Sequence, residues 1–191
     1  MLNKRVAGGF LLLALAWPAA GQTVVETAQG IETRLSAQDF AGALAEAQTV
    51  VARVWDMTTR IGFTEAMLVD KPASDYGIYN PRPTASFRLG EPIYVYVEPV
   101  GYGFATPDSG LFSIGFFVDL TVLAEDGAVL GEMQNVVELD QTARAQRREF
   151  QTTITFNLGG IQPGRYVLAT ILRDKNSDKT GRFETRIEIL P

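Results

Sequence analysis

The chain of 191 residues contains no cysteine and no histidine. Without cysteine the chain has no disulfide, no thiolate ligand for a metal and no thiol nucleophile. Without histidine it has no imidazole for proton transfer and lacks the commonest ligand of transition metals. These two absences exclude the Ser-His, Cys-His and His-zinc classes of enzyme.

Long apolar runs are also missing, except at the start of the chain. Lys4 and Arg5 precede an apolar run over residues 6–17, and small residues follow it. This is the pattern of a secretory signal peptide, and the run is shorter than the roughly 20 residues of a membrane-spanning helix. We expect cleavage after Gly21, with Ala19 and Gly21 at the two recognition positions. The mature protein is therefore predicted to be periplasmic or secreted, with no membrane span.

Positive charge is scarce as well. The chain has 17 Lys and Arg residues against 22 Asp and Glu residues, and the predicted signal peptide carries two of the positive charges and none of the negative ones. The mature chain would then carry a net charge of −7, since 15 positive charges face 22 negative ones. An acidic exported protein is a poor ligand for a phosphate backbone, so no nucleic-acid partner is expected.

A helical segment is predicted over residues 22–58, after the signal peptide at residues 1–21. The stretch "SAQD" interrupts it, and Ser36 with Asp39 fits a helix N-cap followed by an acid in the first turn. A short helix and a longer one from Ala37 to about Met57 follow, although a single long helix is the alternative. Apolar residues recur near helical spacing at Ile31, Leu35, Phe40, Leu44, Val51, Val54 and Trp55.

From there to the C-terminus the apolar pattern changes to a period of two. In "PIYVYVE", Ile93, Val95 and Val97 alternate with Tyr94 and Tyr96, which is the pattern of a strand. "FFVDLTVLAEDGAVLG" adds two strands that fold back at an Asp-Gly turn. About eight such short strands separated by turns predict an antiparallel sandwich over residues 59–191. The expected fold class is mainly β, with an immunoglobulin-like sandwich preceded by the helical segment.

One strand carries a more specific feature. In "LGGIQPGRYVL", the turn Pro163-Gly164 comes just before Tyr166 at the head of a strand. This resembles the tyrosine corner of immunoglobulin-like and fibronectin type III sandwiches, in which the phenol bonds to backbone upstream. The alternative is that Tyr166 is an ordinary core aromatic.

Several motifs together resemble a group of poorly characterised bacterial exported (periplasmic) proteins with an immunoglobulin or fibronectin III-like β-sandwich. They are "YNPRP", "GEPIYVYVEPVGYGF", "QPGRYVL" and "LRDKNSDKTGRFE", and the resemblance covers residues 76–190. It implies a fold and a cell-envelope location, and it carries no catalytic residue.

The stretch "DKNSDKTG" places Asp174, Asn176 and Asp178 at alternate positions, as in a calcium-binding EF-hand loop. Such a loop needs glycine at its sixth position and glutamate at its twelfth, where this chain has Lys179 and Thr185. These three residues are therefore a weak calcium candidate, and the stretch is predicted to be a hairpin turn. No metal or other cofactor is expected.

Carboxylates are the remaining candidates for acid-base chemistry, namely Glu91, Glu98, Asp108 and Asp119. A glycoside hydrolase would need two of them roughly 5 to 9.5 Å apart in a cleft. We expect Glu91, Glu98 and Asp108 to lie on a solvated surface. The chain is therefore predicted not to be an enzyme.

Aromatic residues provide the predicted binding site. Tyr94 and Tyr96 point away from the inward face of their strand, and the next loop adds Tyr102 and Phe104. Exposed aromatics on a rigid sheet bind sugars, peptides and proteins. The alternative is that the N-terminal helix or residues 70–83 cover this face and make it a second core.

These observations predict an exported, non-enzymatic β-sandwich that acts as a binding or assembly module in the bacterial cell envelope. Its partner would be an envelope protein or a glycan. Three alternatives stay open: a carbohydrate-binding module that uses the tyrosine face, a carboxylate-only hydrolase, and a structural subunit held by its N-terminal helices. The sequence leaves the oligomeric state undetermined.

Overall fold

A computed structural model describes residues 23–106 and 110–191 of the protein. The predicted signal peptide and its cleavage site lie outside these residues. The described chain divides into two compact units, with the boundary between Val51 and Ala52. The predicted boundary between helical segment and sandwich, at residues 58 and 59, stays a prediction.

Two helices begin the described chain, α1 (Val24–Ser36) and α2 (Phe40–Met57). A capping box starts α1, because the Thr23 hydroxyl accepts from the Glu26 amide and the Glu26 carboxylate accepts from the Thr23 amide. The prediction that Ser36 caps the second helix is wrong. Ser36 ends α1 and its hydroxyl donates to the carbonyl of Glu32, whereas Asp39 accepts from the amide of Gly42 at the start of α2.

Across residues 23–106 and 110–191, eight strands form two sheets. The smaller sheet has the order β1-β3-β6 and the larger has the order β2-β8-β7-β4-β5. Every pairing is antiparallel except the short parallel contact between β2 and β8. The strands are β1 (Gly62–Val69), β2 (Ser86–Phe87), β3 (Ile93–Val100), β4 (Phe112–Ala124), β5 (Val129–Ala143), β6 (Thr152–Phe156), β7 (Gly164–Asp174) and β8 (Thr180–Ile189).

The strand order confirms the predicted fold class. The strands can be given the letters of the immunoglobulin fold, A, B, C, C′, E, F and G, in the order β1, β3, β4, β5, β6, β7 and β8. The smaller sheet then has the order A-B-E, and the larger sheet has the order G-F-C-C′ after its short edge strand β2. This is the immunoglobulin-like arrangement, in which the chain crosses from one sheet to the other between B and C, C′ and E, and E and F. The apolar side chains of both sheets meet in one core, which includes Val95 and Ile154 from the smaller sheet and Phe116 and Leu172 from the larger.

Two predicted turns are confirmed. The chain folds back between β4 and β5 at Gly127, whose φ of 88° is a left-handed conformation that glycine adopts without strain. At the head of β7, the Tyr166 hydroxyl donates to the carbonyl of Gln162 over 2.8 Å, which is the bond of a tyrosine corner. Within the described residues, no helix is long and apolar enough to cross a membrane.

A bulge with two extra residues interrupts β5, the edge strand of the larger sheet. Val137 pairs with Val118 and Met133 pairs with Leu120, so three residues of β5 stand opposite the single residue Asp119. Asn135, in the bulge, has a φ of 55°, and its amide donates to the Asp119 carboxylate over 2.9 Å. The pairing of β5 is thus split into two short stretches.

Candidate functional site

The predicted aromatic site is divided between two places in the sandwich. Alternation along β3 is as predicted, since Ile93, Val95 and Val97 are fully buried in the core between the sheets. Tyr94 and Tyr96 lie on the opposite face, but Tyr96 has an exposed fraction of 0%. The prediction that Tyr96 is exposed is therefore wrong. The alternative is observed, because residues 70–81 cover this face of the smaller sheet.

Tyr79 makes the principal contact of the covering segment. Its ring packs on Tyr96 with centroids 4.2 Å apart and the two planes tilted by 32°, and the amide of Gly77 donates to the Tyr96 hydroxyl over 2.8 Å. The amide of Ala73 reaches the smaller sheet at the Thr153 hydroxyl, over 3.0 Å. The segment thus contacts strands β3 and β6 through a tilted ring pair and through the hydrogen bonds of the Gly77 and Ala73 amides.

Beneath this segment lies a buried carboxylate. Glu98 has an exposed fraction of 6%, so the expectation that it lies on a solvated surface is wrong. One of its oxygens accepts from the Tyr96 hydroxyl over 2.5 Å, and the other accepts from the Thr64 hydroxyl over 2.9 Å. Thr64 is the extra residue of a bulge between Phe63 and Glu65 in β1, and bulges redirect side chains in this way. We call Tyr96, Glu98, Thr64, Tyr76 and Tyr79 the tyrosine–glutamate cluster.

The electrostatics of the tyrosine–glutamate cluster favour neutral phenols. Burial, and then the hydrogen bond to Glu98, raise the pKa of Tyr96. The same two causes raise the pKa of Tyr76. Both hydroxyl donors to Glu98 belong to the smaller sheet, and the covering segment is joined to them by the Gly77 amide, which donates to the Tyr96 hydroxyl.

Tyr102 and Phe104 lie elsewhere, in the core. Tyr102 has an exposed fraction of 1%, and its hydroxyl donates to the carbonyl of Arg147 over 2.6 Å. The indole N–H of Trp55 donates to the Tyr102 carbonyl over 2.7 Å, and the two rings meet edge to face. Phe104 is half-buried and stacks on Trp55. The prediction that Tyr102 is exposed is wrong, because the end of α2 packs on this loop and brings Trp55 over it.

The stretch with the weak calcium candidates forms the β7–β8 hairpin turn, as predicted. Asp174 is buried, and its carboxylate accepts from the amide of Gly103 over 2.6 Å and from the Ser177 hydroxyl over 2.5 Å. The Asn176 amide group donates to the carbonyls of Gly103 and Ser113. Asp178 is exposed. The Asp174 carboxylate is therefore already hydrogen-bonded to backbone and hydroxyl donors of the fold.

The other predicted carboxylates are paired with arginines. Asp119 makes two hydrogen bonds with Arg173, which hold its pKa below the usual range. Glu91 accepts from the amide of Arg88 and pairs with Arg82, and these contacts lower its pKa too. Asp108 lies outside the described residues. Within residues 23–106 and 110–191, no group of three or more acidic side chains is placed to hold a metal ion.

The first unit exposes apolar side chains along both of its helices. Leu44 has an exposed fraction of 67% and Phe40 one of 61%, and exposed large apolar residues of this kind recur along both helices. Patches of this kind on a folded unit mark interaction sites. We call the hairpin face the set of Val24, Ala28, Ile31 and Leu35 on α1 and Phe40, Leu44, Ala47 and Val51 on α2. Ile31 and Ala47 are half-buried, and the other six residues are exposed.

The two helices are antiparallel neighbours. Arg34 binds Asp39 over 2.6 Å and Glu46 over 2.7 Å, next to the three-residue connection. One turn further from the connection, the Glu46 carboxylate lies against Gly30. Residues farther from the connection on α1 therefore contact residues farther from it on α2, which is the pairing of an antiparallel αα-hairpin.

Comparisons with known proteins identify no family. No family model matches the chain, and no curated protein matches it. Among solved structures, it is similar to the alkylpurine DNA glycosylase AlkC of Pseudomonas fluorescens bound to DNA containing an abasic site analog, with 15% identity and a TM-score of 0.37. That match covers 76% of this chain and 33% of the glycosylase, so the chain spans about a third of that protein.

Two smaller structures are covered almost completely. CopC from Methylosinus trichosporium OB3b has 12% identity, a TM-score of 0.30, and coverage of 66% of this chain and 95% of its own. The CARDB domain of a Pyrococcus furiosus protein in complex with di-metal ions has 12% identity, a TM-score of 0.25, and coverage of 70% and 94%. At these values the similarities assign no ligand or reaction to this chain.

The hairpin face belongs to the N-terminal helices, which sequence analysis named as the attachment of a structural subunit in one alternative, without naming the residues of a contact surface. Its signal was present, because five of its residues stand among the apolar positions recognised at helical spacing in the predicted helical segment. Helical spacing alone does not tell whether a row of apolar residues packs inside the chain or remains outside it. The exposed fractions of Phe40 and Leu44 decide this for the first unit.

Proposed function

We propose that the chain is an exported, non-enzymatic binding or assembly module of the bacterial cell envelope. The β-sandwich is its rigid scaffold and the hairpin face is its contact surface. The observation that carries this proposal is the row of exposed apolar side chains on α1 and α2, with Leu44 at 67% exposure. A surface helix normally turns polar residues outward, and exposed apolar rows are typical of interfaces.

The state of the acidic side chains supports a role without catalysis. Glu98 binds two hydroxyl groups through its two oxygens, and Asp119 binds Arg173. A carboxylate-only hydrolase needs one acid held for proton donation and another open to water or substrate. Direct assay of the mature chain on glycosides and peptides, with no turnover above background, is the expected result.

The burial of Tyr96 and Tyr102 also bears on the nature of the partner. A glycan stacks on the open face of an aromatic ring, and these two rings are covered within the sandwich. The hairpin face offers aliphatic side chains, with Phe40 as its aromatic member, and such a surface suits another protein. We therefore favour a protein partner over a sugar.

Export is tested by following the full-length chain in a bacterial host. We expect the precursor to be shortened at Gly21 and the product to appear in the periplasmic fraction or the medium. An N-terminal sequence that begins at Gln22 would agree with the predicted cut. Accumulation of the uncut precursor in the cytoplasm would contradict the proposal.

Assembly is tested by placing a photo-crosslinking amino acid at Leu44 in the full-length chain in cells. The matched control carries it at Thr49, which is exposed and lies on the opposite side of α2. We expect one discrete adduct from position 44 and none from position 49. Equal labelling from both positions, or none from either, would remove the hairpin face as a contact surface.

A further inference from the structure

We propose that the hairpin face binds the same face of a second copy of this chain, so that two hairpins close a symmetric four-helix bundle. This inference rests on the proposed function, since it names the partner of the contact surface assigned there. Four observations carry it: the spacing of the apolar rows, their position on one side of the hairpin, their lack of charge and their area.

The spacing of each row suits a helical partner. The apolar residues of α1 stand at positions 24, 28, 31 and 35, and those of α2 at 40, 44, 47 and 51. Steps of four, three and four residues keep a row on one side of a helix and are the steps of the contact rows in helix bundles. A flat sheet or an extended peptide does not require this spacing, whereas side chains of a facing helix interlock with it.

Both rows lie on the same side of the hairpin. On α1, Gly30 and Arg34 touch α2, and Ile31 and Leu35 come directly after them in the sequence. On α2, Ala47 follows Glu46, which touches α1. One residue turns a helix by about 100°, and the turn has the same sense in both helices. Because the helices are antiparallel, the same sense of rotation brings both rows to one side, as a single face.

None of the eight residues of the hairpin face is charged, and the exposed carboxylate of Glu32 on α1 lies beside the face and outside its apolar row. Between Phe40 and Ala52, the only charged residue of α2 is Glu46, and this carboxylate is already paired with Arg34 of the same hairpin. Like charges brought together by a twofold axis cost free energy, and this face brings none. A partner that recognised the chain by charge would find nothing to pair with on the face itself.

The area of the face is sufficient for a dimer. The exposed fractions of Val24, Leu35, Phe40, Leu44 and Val51 run from 39% to 67%. These five side chains together expose roughly 500 Å² of apolar surface, so two copies would bury about 1,000 Å², the lower bound of a specific interface. Because a twofold contact uses the same face on both copies, the assembly closes at two.

The decisive experiment measures the mass of the mature chain, residues 22–191, by analytical ultracentrifugation over a range of concentrations. We expect a dimer, and we expect Leu44→Glu to raise its dissociation constant at least about 30-fold, because two carboxylates would enter an apolar contact. The matched control, Thr49→Glu, places the same charge on the opposite side of α2 and should leave the dimer intact. Circular dichroism of each variant verifies that the helices remain.

A second measurement does not depend on disturbing the face. The chain has no cysteine, so Leu44→Cys or Ala47→Cys gives it a single thiol, and a disulfide can form only between two copies. Thiols within disulfide reach across a twofold axis oxidise to a covalent dimer, whereas Thr49→Cys should remain a monomer under the same oxidant.

The outcomes separate this inference from the proposed function. A mature chain that is monomeric at all concentrations, or a dimer that Leu44→Glu leaves unchanged, would overturn the second copy as partner. If position 44 then crosslinks in cells to a different protein, the hairpin face keeps its role in assembly and only the homodimer is lost. If position 44 yields no adduct of any kind, both proposals fail together.

Discussion

Removing one oxygen atom tests the tyrosine–glutamate cluster. In Tyr96→Phe the ring stays in place, but Glu98 loses a hydroxyl donor at 2.5 Å and the amide of Gly77 loses its acceptor at 2.8 Å. A hydrogen bond to a charged group contributes about 1.5 to 3 kcal/mol, and a neutral one about 0.5 to 1.5 kcal/mol. Since Glu98 keeps its bond from Thr64, we expect the free energy of unfolding to fall by about 2 to 3 kcal/mol.

The assay is urea denaturation of the mature chain at pH 7, with the free energy extrapolated to water. A loss of this size also lowers the melting temperature by about 5 to 10 °C for a chain of this length. Tyr94→Phe is the matched control, because Tyr94 lies on the same face of β3 and its hydroxyl makes no hydrogen bond among the described residues. Its change should stay within about 0.5 kcal/mol.

Amide hydrogen exchange gives a local measure of the same contact. The Gly77 amide should exchange faster in Tyr96→Phe than in Tyr94→Phe, because only the first substitution removes its acceptor. If the two phenylalanine variants are equally stable and Gly77 exchanges alike in both, Tyr96 does not hold the covering segment and the reasoning is refuted.

Three further predictions concern other side chains of the sandwich. Tyr166→Phe should lower the free energy of unfolding by only about 0.5 to 1.5 kcal/mol in urea titrations, because the corner bond to Gln162 is exposed; a loss above 3 kcal/mol would contradict this. Asp174→Ala should lower the free energy of unfolding by about 2 to 4 kcal/mol, and by the same amount with calcium or with a chelator, because the carboxylate binds donors of the fold. Stabilisation of the parent chain by calcium would argue for a metal site. Burial raises the pKa of Tyr96 and Tyr102 above the unfolded value of about 10. The stability that each phenol contributes is therefore complete below pH 10 and falls above it, by about 1.4 kcal/mol per pH unit. Denaturation between pH 9 and 11 checks this, and a free energy of unfolding that does not change with pH would speak against buried phenols.

The sequence was informative wherever a local pattern decides the structure. Alternation in "PIYVYVE" placed Ile93, Val95 and Val97 in the core, and the Asp-Gly pair placed the β4–β5 turn. It was uninformative about what covers a face. Tyr96 points outward from β3 as predicted, but whether an outward residue meets solvent depends on residues 70–81, whose path is set by distant contacts such as Tyr79 on Tyr96.

The same limit applies to the sites. Glu98 ends an alternating strand, a place where acids are usually solvated, but it lies buried beneath residues 70–81, where a bulge in β1 turns Thr64 toward it. Trp55 was recognised as a helical position, yet nothing in its neighbours along the chain predicts its bond to the carbonyl of Tyr102. Local spacing fixes the direction of a side chain, and the partner it meets there comes from another part of the chain.

The bulge at Asn135 has a consequence for the solubility of the folded chain. A long straight edge strand offers an unbroken line of amides and carbonyls on which another chain can add as a further strand, and this is how sheets begin to aggregate. Here the three residues opposite Asp119 break that line near the middle of β5, and the Asp119 and Arg173 contacts to Asn135 hold the break open. Removing two of these three residues would restore one-to-one pairing at this point, and the folded protein would then expose a longer unbroken template for fibrous growth along its own edge.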